Sequence, residues 1–223
     1  MQEDPRTPDG RRTRWHDHRA QRRDELITAA LRAVVQYGSD VDMAQVAAVA
    51  GVSKPVLYRY FADKAELWTA VGQKVAGLVV DAVAPALATM DAGYELVATT
   101  IDAYLGAIES NPDVYQFIVH QSGAPAMTHI LDSTARTIAT ELARVVGDRL
   151  RDLGLDSGGA EPWAYGMVGM VRAVGDWWIG HNRPLSRPAL TDYLTTLLWQ
   201  GLAGIQAAAD LPAGGVRPAQ PSR

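Results

Sequence analysis

The chain contains no cysteine, which excludes disulfides, thiol catalysis and cysteine-ligated zinc or iron–sulfur sites. No apolar run reaches the roughly 18 residues that a membrane span needs. The arginine-bearing N-terminal stretch lacks the apolar centre of a secretory signal. A cytoplasmic protein with no membrane partner is expected. There is no GxSxG nucleophile turn, no glycine-rich phosphate loop and no HExxH zinc helix, so no catalytic residue, cofactor or metal is expected. His16-Asp17-His18 could chelate a metal, but it sits among arginines in a mobile stretch. Asp176 and His181 share a helix without a nucleophile. Strand-like alternation and internal repeats are also missing.

What is present is an ordinary globular composition with an uneven charge. The 223 residues are 48% apolar and 21% charged, enough for one compact body or two small domains. The net charge of −4 conceals an asymmetry. Residues 1–64 hold 11 Lys and Arg against 9 Asp and Glu, whereas residues 65–223 hold 10 against 16. Seven arginines (Arg6, Arg11, Arg12, Arg14, Arg19, Arg22, Arg23) crowd residues 6–23, against Asp9 and Asp17 alone. This reads as a basic arm on an acidic body, or as a solubilising tail.

Helical signals repeat from Arg22 to about Ala209, so the expected class is all-α. A first helix over 22–37 is striped by Leu26, Ala30, Ala33, Val34 and Tyr37 and stops at Gly38. Asp42 and Gln45 form a capping box for a short second helix ended by Gly51. Ser53 caps a third helix over 54–61, with Pro55 tolerated in its first turn. Asp63 and Glu66 form a second box for a helix striped by Leu67, Val71, Val75 and Leu78 and ended by Pro85. Five longer helices complete the count. The first is striped by Tyr94, Val97, Ile101, Tyr104, Leu105 and Ile108, and the next opens at Asn111-Pro112 and ends near Gly123. The others cover 125–153, 162–181 and 186–209. The proline- and glycine-bearing tail from Asp210 is expected to be disordered.

Residues 43–50 and 54–61, joined by Gly51-Val52-Ser53, have the dimensions of a helix-turn-helix. Gly51 suits the left-handed position of the turn, and Ala47 is small where the two helices cross. Val46, Val52, Leu57 and Phe61 would plug the unit against the first helix, leaving Lys54, Pro55, Val56, Tyr58 and Arg59 outward. The run 46–64, which carries Ala47, Gly51-Val52-Ser53-Lys54-Pro55, Leu57-Tyr58, Tyr60-Phe61 and Asp63-Lys64, resembles the DNA-binding signature of the TetR family of bacterial transcriptional regulators. The likeness is close over about residues 22–70. Beyond residue 80 it rests on the nine-helix layout. Two positions depart from the family pattern: Ala44 replaces a frequent basic residue, removing one DNA contact, and Val34 replaces a phenylalanine.

The resemblance implies a dimer on palindromic double-stranded operator DNA, with Gln45, Ser53, Lys54, Pro55, Val56, Tyr58, Arg59, Tyr60 and Lys64 at the DNA. Lys54 would reach a guanine acceptor and Val56 a thymine methyl. Tyr58 and Tyr60 would reach phosphates, Arg59 either target, and Lys64 a phosphate at the start of the fourth helix. Tyr60 could instead pack on the first helix, and Lys64 could be a solvated member of its capping box. The arginine arm could enter a minor groove or scan nonspecifically.

The expected division is an arm over 1–20, a helix-turn-helix domain over 21–68, a ligand-binding and dimerisation domain over 69–209, and a tail over 210–223. The helix over 162–181 is apolar on two sides: Trp163, Met167, Met170, Val174 and Trp177 on one, Ala164, Val168, Val171, Gly175 and Ile179 on the other. Such a helix must be buried twice. The last helix adds a stripe of Leu190, Tyr193, Leu194, Leu197, Gly201 and Ile205. The resemblance supplies the two surfaces, a ligand-binding interior and a four-helix bundle that makes a homodimer through the last two helices. Ligand candidates are Tyr104, Ile108, Phe117, His120, Met167, Met170, Val174 and Trp177, with plain core as the alternative for each. Few charges fall on these stripes, so an apolar effector such as a fatty acid or acyl thioester is expected to release a repressor from DNA. The alternatives are a drug- or steroid-responsive regulator of the same build and, remotely, a helical enzyme without a recognisable motif.

Overall fold

The computed structural model describes residues 10–38, 40–89 and 93–209, and every regular element among them is helical. The described residues form nine α-helices: α1 Gly10–Tyr37, α2 Met43–Val49, α3 Lys54–Tyr58, α4 Lys64–Thr89, α5 Tyr94–Glu109, α6 Pro112–His120, α7 Pro125–Asp152, α8 Ala160–Gly180 and α9 Arg187–Ala209. A single 3₁₀ turn, Gln121–Gly123, follows α6. This is the all-α, nine-helix class expected. The expectations for Arg6 and for the tail from Asp210 lie outside the described residues, as do the side chains of His16 and Ile205.

Helix ends follow local chemistry. Gly38 (φ 80°) donates to the Val34 carbonyl at 2.8 Å and stops α1. Gly154 (φ 71°) stops α7, with Leu155 N–H reaching back to the Leu150 carbonyl at 2.8 Å. Two ends differ from the sequence reading. The first helix begins at Gly10 rather than Arg22, so residues 10–20 are helical and not a structureless arm. Pro85 does not end α4, which continues to Thr89. Proline removes one helical bond, and the buried Val83, Ala86 and Leu87 around it offset that loss. By length and composition alone α4 is apolar enough to cross a membrane, with mean hydropathy 1.4. Its Leu67, Trp68, Val71, Val83 and Leu87 are instead buried in protein cores.

The chain forms two compact units. The first contains the residues to Gly77 together with Asn111–Ile130, and the second contains Leu78–Ser110 with Leu131 onward. The expected boundary at residue 68 therefore falls inside α4, and α6 joins the helix-turn-helix unit. The first core combines Leu26, Ala30, Ala33 and Val34 of α1 with Val46 and Ala47 of α2, Leu57, Phe61, Leu67, Val71 and Ile118. Trp68 of α4 meets Phe117 of α6 edge-on, ring centroids 4.7 Å apart. A Cβ at Gly72 would lie 2.8 Å from Met127 Sδ, so glycine lets the start of α7 approach α4.

The second core gathers Val83, Leu87, Leu96, Leu142, Ala164 and Met167, with Tyr104, Ile138, Trp163 and Leu198 packed on it. Gly175 brings α8 close to α5: a Cβ there would sit 3.0 Å from Tyr104 Cε1 and 3.1 Å from Ile108 Cδ1. Helices α5 and α9 run antiparallel. Arg187 donates to Asp102 at 2.9 Å and Glu109 at 3.3 Å near one end, and Tyr94 meets Trp199 at 6.0 Å near the other. Leu190, Thr191, Leu194 and Thr195 are the buried side of α9, whereas Tyr193 and Leu197, expected on the same stripe, are exposed. Leu78 is likewise exposed.

Candidate nucleic-acid interface

The recognition element begins with the second helix. Asp42 Oδ1 accepts from the Ala44 and Gln45 amides at 2.7 and 2.9 Å, and Gln45 Oε1 accepts from the Asp42 amide at 2.9 Å. The expected box is complete. The Gln45 amide, then that of Ala44, holds the Asp42 carboxyl below the usual carboxylate range, helped by the charges of Lys54 and Lys64. Gly51 adopts φ 66° in the turn, and Val52 N–H bonds to the Ala47 carbonyl at 3.0 Å. Ser53 has the extended backbone of an N-cap but its hydroxyl makes no capping bond. The recognition helix α3 is shorter than expected: Arg59 is its C-cap, and Tyr60 and Phe61 amides close onto the Leu57 carbonyl.

Anchoring and exposure divide cleanly along this segment. Val46, Leu57 and Phe61 are fully buried, and Val52 is half-buried. Ser53, Lys54, Pro55, Tyr58, Arg59 and Lys64 are exposed; Gln45, Val56 and Tyr60 are half-buried. Ala44 is exposed and Val34 is core, so the two departures leave the fold intact.

Ties from α1 fix the end of the unit. Glu66 Oε2 accepts from the Ala62 amide at 2.7 Å, and its other oxygen from Arg23 at 3.2 Å. These two bonds, the Ala62 amide first, hold the Glu66 carboxyl below its usual range. Asp63 Oδ1 accepts from the Glu66 amide at 2.7 Å, so this half of the second box forms as expected, whereas the Glu66 side chain reaches back to the amide of Ala62 rather than that of Asp63. Arg19 donates to the Arg59 carbonyl at 3.4 Å and lies over the Tyr60 ring, 5.9 Å from its centroid. Tyr60 therefore touches α1. Charge clustering marks Arg19 as part of a basic arm, but its contacts with Arg59 and Tyr60, some 40 residues away, leave no local pattern.

The eight ligand candidates are divided between the two units. Tyr104 and Met167 meet in the second core, and Ile108 is buried close to Gly175. Met170 and Val174 are half-buried, while Trp177 is 43% exposed, its ring 5.4 Å from that of His181. Phe117 and His120 belong to the other unit. His120 is exposed rather than set in an apolar interior. Helix α6 buries Val114, Tyr115, Phe117 and Ile118, and His120 falls on the Gln116 side, where Nδ1 lies 2.7 Å from the Gln116 carbonyl.

A short anchored helix offering Lys54, Pro55, Tyr58 and Arg59 to solvent, behind a glycine turn in an all-helical chain, defines a helix-turn-helix DNA-binding regulator. Comparison with known proteins agrees. Residues 26–71 match the model of bacterial regulatory proteins of the tetR family, and residues 82–214 match the tetracyclin repressor-like C-terminal domain. The HTH-type transcriptional regulator Rv0472c of Mycobacterium tuberculosis is 41% identical over 199 residues, 88% of this chain and 84% of that protein. The HTH-type transcriptional activator FasR of Mycolicibacterium smegmatis is 30% identical, covering 84% of this chain and 85% of its own. The structure of the transcriptional regulator FadR from Bacillus subtilis in complex with stearoyl-CoA superposes with TM-score 0.67 at 16% identity, over 79% of this chain and 97% of that one. The chain belongs to the TetR family of transcriptional regulators.

The two depressed carboxyls set an acid limit on the DNA-binding unit. A carboxylate with a lowered folded-state pKa stabilises the fold fully above its unfolded value, and that stability is lost as pH falls through the folded value. Thermal unfolding followed by circular dichroism should show the midpoint falling below about pH 4. A double variant, Asp42→Ala with Glu66→Gln, should start lower at neutral pH and lose less over the acid range. Equal acid slopes in the two proteins would show that the caps are not responsible.

Proposed function

We propose that this regulator is a homodimer that binds a palindromic operator and is released by an apolar acyl ligand. The observation that carries the DNA part is the division of one segment into buried Leu57 and Phe61 and exposed Lys54, Pro55, Tyr58, Arg59 and Lys64. Lys54 donates to a guanine acceptor and Val56 meets a thymine methyl, with Pro55 between them and Gln45 and Ser53 at the groove edge. Tyr58 and Tyr60 reach phosphates. Lys64 adds its charge to the N-terminus of α4 to hold another. Arg59 contacts the backbone.

The effector part rests on the second core. Tyr104 and Met167 belong to this apolar core, Tyr104 and Ile108 of α5 approach Gly175 of α8, and the half-buried Met170 and Val174 lie on the same helix α8; none carries a charge. The same fold in FadR holds stearoyl-CoA, which supports a fatty acid or acyl thioester here. This reading uses candidates of the second unit alone; Phe117 and His120 belong to the first unit, and Trp177 is exposed. Repression relieved by ligand is the proposed output. The activator named among the relatives favours the opposite sign as a second reading, and in vitro transcription with and without the protein separates the two. Dimerisation would cover the exposed Tyr165 and Trp177 of α8 and Tyr193 and Leu197 of α9.

Three measurements test this reading. On an operator selected from random duplexes, Lys64→Ala should weaken binding on every sequence and flatten the salt dependence by about one unit of slope, whereas Lys54→Ala should relax preference at one base pair. A changed preference with an unchanged slope for Lys64→Ala would reverse the assignment. Stearoyl-CoA should alter tryptophan emission, lower operator affinity, and itself bind more weakly to the operator complex by the same factor, a coupling of about 1–3 kcal/mol. Binding that leaves operator affinity unchanged refutes the linkage. In sedimentation, Leu197→Glu should give folded monomers. Gly175→Leu should instead cost about 1–3 kcal/mol of fold stability by overpacking Tyr104 and Ile108. A wild-type monomer at micromolar concentration would remove the dimer.

A further inference from the structure

The arginine-rich N-terminal segment is not a loose appendage near its junction with the DNA-binding unit. His18, Arg19 and Arg22 of α1, with Arg59 and Tyr60 just past α3, line a solvent-open cleft of about 300 Å³. The charges in it are unequally balanced. Arg22 is paired with Glu25 at 2.5 Å, and its neighbour Arg23 with Glu66 at 3.2 Å. Arg19 and Arg59 make no ion pair among the described residues. Two like charges are thus gathered on one concave surface. Arg19 is held there by the Arg59 carbonyl and the Tyr60 ring rather than by an anion.

Guanidinium groups present planar forks of donors that match a phosphate, and such a pair without its own carboxylate is ready for an outside anion. The position of the cleft selects which anion. It includes Arg59, one residue past the exposed Tyr58, and so lies at the end of the recognition helix opposite Lys54. From Arg19 the helix runs on to Gly10, about 13 Å further at the α-helical rise. Arg11, Arg12 and Arg14 lie on that stretch of the sequence.

We propose that the cleft of His18, Arg19, Arg22, Arg59 and Tyr60 seats one backbone phosphate of double-stranded DNA, shared by Arg19 and Arg59, beyond the base pairs that α3 reads. This rests on the operator-binding reading and adds a sequence-independent contact to it. The cleft gives the regulator affinity for any duplex flanking its site, and the helical stretch to Gly10 leads along that flank.

The test uses the full chain and a random-sequence duplex about three helical turns long, with affinity measured by fluorescence anisotropy across a salt series. Arg19→Gln and Arg59→Gln should each lower the magnitude of the salt slope by about one unit. The double variant should lower it no further, because both arginines serve one phosphate. Arg19→Lys should restore most of the slope. Thermal unfolding should match wild type in each case, since both arginines are exposed. Unchanged slopes in both glutamine variants, or an additive loss of about two units in the double variant, would overturn the shared phosphate. If wild type binds while the variants equal it, only the cleft fails. If wild type binds neither this duplex nor any selected operator, the operator reading fails with it.

Discussion

A helix of five residues cannot hold itself together. Isolated helices shorter than about 12–15 residues are marginal in water, so the shape of α3 depends on what buries it. Leu57 and Phe61 are both fully buried, each worth roughly 1.5–3 kcal/mol of transfer free energy, and they are the reason that Lys54, Pro55 and Tyr58 point outward together. Everything around α3 serves that anchoring. The Asp42 box fixes the start of α2, Gly51 turns the chain, and the small Ala47 leaves room for the crossing. Glu66 then ties the far end back to Arg23 of α1 through one carboxylate. The DNA-facing surface is therefore a product of the core behind it.

The legible parts of this fold were those written in short-range chemistry. Gly38 and Gly154 stop their helices with positive φ, and Asp42 with Gln45 makes the box that their spacing announces. The motif 46–64 carries the family within itself, and the family model matched over residues 26–71 spans it. Local preference misleads where distant contacts outweigh it. The N-terminal residues read as a tail because their charges suggest solvation, yet they continue α1, and Arg19 finds its partners 40 residues on. Pro85 read as a stop because the local cost of proline is about 3 kcal/mol, but buried neighbours on either side carry α4 through it.

The candidate sites show the same limit. On α6 an apolar run suggested that His120 faced inward, and the helical period turns it out beside Gln116. On α9 a single stripe was expected, whereas the helix splits it: Leu190 and Leu194 face α5, and Tyr193 and Leu197 face solvent. Sequence spacing alone cannot tell one broad apolar face from two narrow ones. The choice depends on which neighbour occupies which side, and Arg187 with Asp102 and Glu109 settles the α5 side of this helix.

Trp68 has a consequence of a different kind. Its indole is 5% exposed, stands edge-on to Phe117, and its Nε1 hydrogen finds no acceptor among the described residues. A buried indole without a hydrogen-bond partner emits at short wavelength and exchanges its proton with water only when its surroundings open. In a chain with six tryptophans, this one marks the seam between α4 and α6. Its exchange rate is a clock for the local breathing of the DNA-binding unit, separable from the slower loss of the whole fold.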